Sequence, residues 1–348
     1  MDILKQPIVD ASAWTGSDFQ SKEDVTLHFA PEHLEEIDRT LKAALESGLK
    51  LDTLERRDFE LPLTAPLLQA TREELRTGRG IVILRGIDVG RYTVPELEMI
   101  YWGIGTHLGI GVSQSVLGDR LGHVKDTTAT DPHARAYRNK QELTPHTDTS
   151  DLVGLMCVRT ARQGGVSIAS SVAAVHNALL ERFPQYLEPL YVGFPYHRRG
   201  ENLPGEAPIT PHRIPVFSYV EGELSCRYTR SYIETAAREG GTPLSDLQVE
   251  ALNCLERLTY ECAFEFQLDP GEIYLINNYT VLHARTAFEN WPEPERARLL
   301  LRLWLTAPDW RHLDPRIDAT RSGIAAQAGK LPSFERAFGS GRMASHVN

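Results

Sequence analysis

The chain has 348 residues, with 37 Lys and Arg against 47 Asp and Glu, a net charge of −10 at pH 7, and 41% hydrophobic residues. The acidic balance argues against a nucleic-acid partner, which calls for a basic patch, and no apolar run approaches the roughly 18 residues of a membrane helix. The start, MDILKQPIVD, lacks the basic and apolar regions of a secretion signal. Cys157, Cys226, Cys254 and Cys262 lie far apart without a CxxC pair, and so read as buried small hydrophobes. These features indicate a soluble cytoplasmic protein.

Residues 1–30 carry little pattern. After Pro31, Leu34, Ile37, Leu41 and Leu45 recur at helical spacing, with Gly48 as the stop. Residues 80–84 read as a buried strand. Pro95 opens a second helix with Leu97, Ile100, Tyr101 and Ile104 on one face, and Gly103 and Gly105 weaken its end. A strand is expected over 152–158 and a short helix over 172–183, ended by Pro184.

The stretch 184–215 is rich in Pro, Gly and Arg and reads as a long loop over a site. Residues 216–219 and 224–228 flank Glu221-Gly222, a hairpin signal. Leu247, Ala251, Leu255, Leu258 and Cys262 share one helical face. That helix opens near Thr242-Pro243, or slightly later if Ser245 and Gln248 form a capping box. Strands are expected over 273–277 and 297–305, and after Pro308 the chain becomes a polar tail without a core signal. Short strands with turn signals and a few helices predict a mainly β fold, a sandwich or jelly roll with flanking helices.

A histidine followed two residues later by an acid occurs three times, a frequency that chance allows. His33 and Glu35 lie on the expected helix, where positions two apart diverge. His312 and Asp314 have only His346 downstream to complete a site. His146 and Asp148 have an extended setting, in which alternate side chains share a side. His283 is the plausible third ligand. Two histidines and one carboxylate form the facial triad of non-haem iron oxygenases, with positions open for substrate and O₂.

In residues 298–305, alternation puts Arg298, Leu300, Arg302 and Trp304 on one face and four leucines on the other. Two arginines in so apolar a strand are costly unless they meet an anion or an acidic partner.

Taken together, His146-Thr147-Asp148, Gly164-Gly165-Val166-Ser167, the segment from Asn277 to Phe288 and that from Arg298 to Leu305 resemble the taurine dioxygenase family. These are clavaminate-synthase-like Fe(II)/2-oxoglutarate dioxygenases. The resemblance covers roughly 75–310, leaving 1–74 as an N-terminal helical extension and 311–348 as a C-terminal tail. It implies a double-stranded β-helix, a jelly-roll relative. It also implies that His146, Asp148 and His283 bind Fe(II), and that Arg298 and Ser167 hold 2-oxoglutarate.

The implied reaction consumes O₂, turns 2-oxoglutarate into succinate and CO₂, and hydroxylates, desaturates or cyclises a small molecule. Retention of Asp148 argues against halogenation. Arg302 matches an arginine that approaches the primary substrate. Gln114, Glu142, Arg227 and Arg230 are further candidates for that pocket, whose arginines suit an anionic or amino-acid-like molecule. A zinc hydrolase on the same ligands and a non-catalytic jelly-roll binding protein are the alternatives, and a homo-oligomer is left open.

Overall fold

The computed structural model describes residues 3–128, 138–318 and 321–327. The expected tail beyond 327, with His346, lies outside the described residues. The first half contains β1 (Thr26–His28), α1 (Pro31–Glu46), α2 (Ala65–Thr77), β2 (Ile81–Arg85), α3 (Val94–Leu108), β3 (Ile110–Gly111), β4 (Leu121–Val124), β5 (Leu143–His146), β6 (Leu152–Arg159), β7 (Gln163–Gly164) and β8 (Ser167–Ser171). The second half contains α4 (Val172–Arg182), α5 (Leu187–Val192), β9 (Phe217–Val220), β10 (Glu223–Cys226), α6 (Arg230–Glu239), α7 (Asp246–Glu261), β11 (Phe264–Phe266), β12 (Ile273–Asn277), β13 (Val281–Arg285), β14 (Phe288–Glu289) and β15 (Leu299–Thr306).

This is a mixed helix and sheet structure. Among the described residues, seven strands form one sheet in the order β1-β2-β12-β6-β15-β3, with β4 also on β15. Four form a second sheet, β11-β8-β13-β5. Ile83, Val153, Tyr274, Ile276 and Leu300 of the large sheet share one apolar cluster with Ala169, Phe264, Phe266 and Val281 of the small one. The other face of the large sheet is covered by the first three helices, through Ile37, Leu41, Leu68, Leu75, Ile100 and Ile104. The helices α4, α5 and α7 pack with the β9–β10 hairpin and Leu282 of β13.

β15 follows the alternation. Leu299, Leu301, Leu303 and Leu305 enter the helix-covered cluster, while Leu300 and Trp304 face the small sheet. Each fully buried leucine contributes about 2 kcal/mol of transfer free energy, so this register is strongly held. A one-residue slip would send Arg302 into the leucine layer.

Several elements differ from expectation. α3 does not weaken at its glycines but runs through them to Leu108. A Cβ at Gly103 would lie 2.3 Å from Phe59 Cδ1, and one at Gly105 2.6 Å from Leu303 Cδ1, so close packing offsets their low helix propensity. The 184–215 stretch holds α5, whose Pro189 sits in the first turn, where no amide is lost. α2 and α6 are not among the expected helices: their buried faces are short and carry Thr71, Thr235 and Ala236 beside Leu68, Leu75 and Ile233.

The N-terminal region is not helical alone, since β1 pairs in parallel with β2. The segment after Pro308 also contributes to the core. Ile317 and Ile324 are buried, and Arg321 Nη2 meets the buried Asp151 Oδ2 at 2.6 Å. The helix with the disputed start begins at Asp246, because Ser245 caps it and Gln248 returns the bond. All four cysteines are free and buried. No helix among the described residues is long and apolar enough to cross a membrane.

Candidate metal centre

His146 closes β5 and His283 sits at the middle of β13, directly opposite it across the antiparallel pair. Directly opposed residues bring their Cβ atoms within about 5 Å, and the two imidazole centroids lie 4.2 Å apart. Asp148 follows two residues after His146, just past the strand end. Its Oδ1 is 3.8 Å from His146 Nε2 and its Oδ2 3.8 Å from His283 Nε2. The three ligand atoms all lie within 4.8 Å of one another. Two imidazole nitrogens and one carboxylate at this spacing suit a divalent transition metal.

The backbone that aims these groups is itself clamped. Asn278 Oδ1 accepts from the Asp148 amide at 2.9 Å, and its Nδ2 donates to the Asp148 and Ser150 carbonyls at 2.7 and 2.6 Å. Arg227 Nη1 donates to the Thr147 and Asp148 carbonyls at 2.7 and 3.1 Å. His146 Nδ1 donates to the Thr144 carbonyl at 2.9 Å, which leaves Nε2 as the free base. Trp304 Nε1 donates to Asp148 Oδ2 at 2.8 Å.

Burial holds His283 down to about 3, helped by neighbouring His146. It also lowers His146, against the pull of Asp148. Both rings are therefore neutral and ligand-ready at pH 7. Burial opposes the charge on Asp148, yet Arg302, the two histidines and the Trp304 indole bring its carboxyl down to about 2. It is a permanent anion at physiological pH.

Behind the ligands lies a cavity of about 50 Å³, lined among others by His146, Asp148, His283, Ser167 and Arg298. Arg298 is 4% exposed and its Nη1 has no hydrogen-bond partner. Burial and nearby Arg285 lower its guanidinium to about 10, so it remains cationic at neutral pH. No acid among the described residues forms a salt bridge with it. A buried cation without an acidic partner, beside three candidate metal ligands, suits a bound anion.

A second, outer cavity of about 220 Å³ shares His146, Asp148 and Arg302 with the first. It is lined by Glu142, Arg199, Arg227, Arg230, Arg302 and Trp304, among others. The structure brings most of the sequence-predicted residues to these two cavities but gives them different freedom. Arg230 spends its fork on Glu234, Glu256 and Asn253. Glu142 Oε1 accepts from the Tyr260 hydroxyl at 2.7 Å.

Gln114 is among the lining residues of neither cavity. It reaches the site through Arg302, accepting from Arg302 Nε at 2.7 Å and donating to the Arg302 carbonyl at 2.9 Å. Sequence reasoning missed Asn278 and the bond from Trp304. A buried asparagine beside the third ligand was the available signal for the first. The second needed the side-chain geometry.

Residues 46–304 match the taurine catabolism dioxygenase TauD, TfdA family. The chain is 28% identical over 336 residues to FR-33289 synthase of Streptomyces rubellomurinus (strain ATCC 31215), covering 94% of this chain and 98% of that protein. It is also 28% identical over 309 residues to the taurine hydroxylase-like protein SAT17 of Stachybotrys chartarum (strain CBS 109288 / IBT 7711), covering 84% and 78%.

Among solved structures it is similar to asparagine oxygenase in complex with Fe(II), 2S,3S-3-hydroxyasparagine and succinate, with a TM-score of 0.67 at 16% identity. That match covers 87% of this chain and 100% of that one. The non-haem iron oxygenase OrfP, in complex with Fe, succinate and (3S)-hydroxy-L-Arg, matches with a TM-score of 0.61 at 14% identity, covering 87% and 99%. At these identities the structural likeness speaks for the fold. The family match spans most of the chain: the protein belongs to the TauD, TfdA family, and with it to the Fe(II)- and 2-oxoglutarate-dependent dioxygenases.

Proposed function

We propose that His146 Nε2, His283 Nε2 and one Asp148 carboxylate oxygen hold Fe(II), and that Arg298 and Ser167 hold the far carboxylate of 2-oxoglutarate in the inner cavity. In this reading a small anionic or amino-acid-like molecule is oxidised from the outer cavity. The two facing sheets are the halves of a double-stranded β-helix, within an oxygenase unit of residues 75–310. The observation that carries the reading is the buried Arg298 guanidinium, without an acidic partner, lining one small cavity with all three ligands. A zinc hydrolase on the same ligands gives that cation no task.

Iron with 2-oxoglutarate and O₂ supplies the oxidising power, at the expense of the oxo acid's decarboxylation to succinate and CO₂. The protein's residues do the rest. The Thr144 carbonyl fixes the His146 tautomer. The Trp304 indole, donating to Asp148 Oδ2, would fix the orientation of that carboxylate toward a bound metal. Arg302 Nη1, 3.7 Å from Asp148 Oδ2, offsets negative charge at the boundary between the two cavities. Val124, Leu155 and Leu300 give the inner cavity apolar walls.

In the outer cavity, Arg302, Arg227 and Glu142 line the wall together with His146 and Asp148. That mixture suits an amino-acid-like zwitterion or an anion. The hydroxyasparagine and hydroxyarginine named in the asparagine oxygenase and OrfP structures agree with the amino-acid class.

The test is succinate formation from 2-oxoglutarate with Fe(II), across a panel of amino acids and small organic anions. Stimulation by at least one of them, abolished in His283→Ala, is expected. Hydrolytic activity supported by Zn(II), with no succinate from any panel member, would contradict the proposal.

A further inference from the structure

Arg298 and Ser167 do not exhaust the inner cavity. Two more buried donors line it: Tyr274, 2% exposed, and Arg285, 6% exposed. Neither the Tyr274 hydroxyl nor Arg285 Nη1 has a hydrogen-bond partner. An unpaired buried polar group costs free energy, and native structures hold few without a reason. Here the residues that bear three such atoms, counting Arg298 Nη1, line one space of about 50 Å³.

The elements bring them there from different directions. Tyr274 comes from β12 of the large sheet, with its ring edge-on to Phe266 at 5.1 Å. Arg285 ends β13, two residues beyond His283, and Ser167 opens β8, paired with Arg285 in register. The Arg285 and Arg298 guanidinium carbons sit 4.7 and 5.0 Å from the centroid of the Phe288 ring. That ring fixes both cations without neutralising either. The remaining Arg285 nitrogens bond the Thr286 and Asn139 carbonyls at 3.1 and 3.2 Å, and the Gln141 carbonyl, so Nη1 alone is unspent.

Guanidinium groups only donate, and a carboxylate accepts at about four lone-pair positions. Arg298 Nη1, Arg285 Nη1, Tyr274 Oη and Ser167 Oγ make four donors around one pocket. We propose that Tyr274 and Arg285 complete, with Arg298 and Ser167, a four-donor cup for the far carboxylate of the 2-oxo acid. Tyr274 is then the neutral donor contributed by the facing sheet. This rests on the reading of the inner cavity given under Proposed function.

Tyr274→Phe deletes only the hydroxyl and keeps the ring on Phe266. 2-Oxoglutarate is titrated into anaerobic Fe(II) protein and binding is read from the visible charge-transfer band. 2-Oxobutyrate, which lacks the far carboxylate, is the control. The dissociation constant for 2-oxoglutarate should rise about 10- to 100-fold, while that for 2-oxobutyrate changes less than about twofold. The apoprotein should melt no lower than wild type, since an orphaned hydroxyl has been removed. Arg285→Lys, which cannot keep its carbonyl contacts and reach the cavity together, should weaken 2-oxoglutarate binding in the same selective way. Unchanged 2-oxoglutarate affinity in Tyr274→Phe, or equal weakening of both acids, overturns the cup. Failure of the wild-type protein to bind 2-oxoglutarate at all overturns the reading beneath it.

Discussion

The indole Nε1–H of Trp304 donates to Asp148 Oδ2 at 2.8 Å. The bond links β15 of the large sheet to a carboxylate just past the end of β5, so the large sheet orients a candidate metal ligand. Groups that orient metal ligands are typically worth about 10- to 100-fold in metal affinity. Trp304→Phe keeps an aromatic ring in the apolar cluster and removes the donor. Its Fe(II) affinity, measured by anaerobic titration, should fall about tenfold with little change in melting temperature. Unchanged affinity would show that the bond is incidental.

Arg298 gives a prediction of opposite signs. In the apoprotein its guanidinium is buried without an acidic partner, and replacing such a cation by an apolar chain of similar length is often stabilising. Arg298→Met should therefore raise the apoprotein's melting temperature by about 2 °C or more. The same change should raise the KM for 2-oxoglutarate about 100-fold, the scale of losing a buried charged contact. A variant that is both destabilised and normal in KM would mark Arg298 as structural.

Gln114 acts on the site at one remove. Its amide oxygen takes Arg302 Nε and its amide nitrogen donates to the Arg302 and Arg120 carbonyls. Gln114→Leu should release the guanidinium and lower kcat/KM for the primary substrate about tenfold, leaving Fe(II) affinity within about twofold. If kcat/KM holds while melting temperature drops, the glutamine serves packing alone.

Acid sensitivity should arise away from the site as well. His176 is fully buried, and burial lowers it to about 4 from an ordinary 6.5. The unfolded chain then binds a proton that the folded chain refuses, so stability is full above about pH 6.5 and falls as pH drops toward 4. The loss is about 3 kcal/mol from this residue, at 1.36 kcal/mol per unit. His176→Phe should flatten the stability profile between pH 6.5 and 4 in chemical denaturation. An unchanged slope would mean that other groups set it.

Legibility from sequence followed burial. The helices at Pro31–Glu46 and Asp246–Glu261 announced themselves, because each has one apolar face and a clear stop or cap. β15 was readable because leucines mark one of its faces. The site-bearing strands were harder. All five residues of Ser167–Ser171 and of Val281–Arg285 are buried, so neither strand alternates. They carry serine, histidine and arginine inward, which hides them from any hydropathy pattern.

Ligand candidates could be found from residue types and spacing, with the family resemblance fixing the third. The strand pattern singled out Arg298 and Arg302 as a pair, and the family resemblance selected Arg298 for the 2-oxo acid. Tyr274 and Arg285 were not singled out, since nothing in a sequence distinguishes a tyrosine with a satisfied hydroxyl from one without. Arg230 shows the converse limit: its sequence position suggested a substrate contact, while the fold commits its fork to Glu234, Glu256 and Asn253.

In the proposed function, His146, Asp148, His283 and 2-oxoglutarate would share one iron ion. The most direct test of that reading is anaerobic addition of Fe(II) and then 2-oxoglutarate to the apoprotein, followed by visible absorption. A weak charge-transfer band that appears only with both, and is lost in His146→Ala and His283→Ala, is the predicted result. A folded, iron-loaded protein that develops no band, or histidine variants that keep it, would contradict the account.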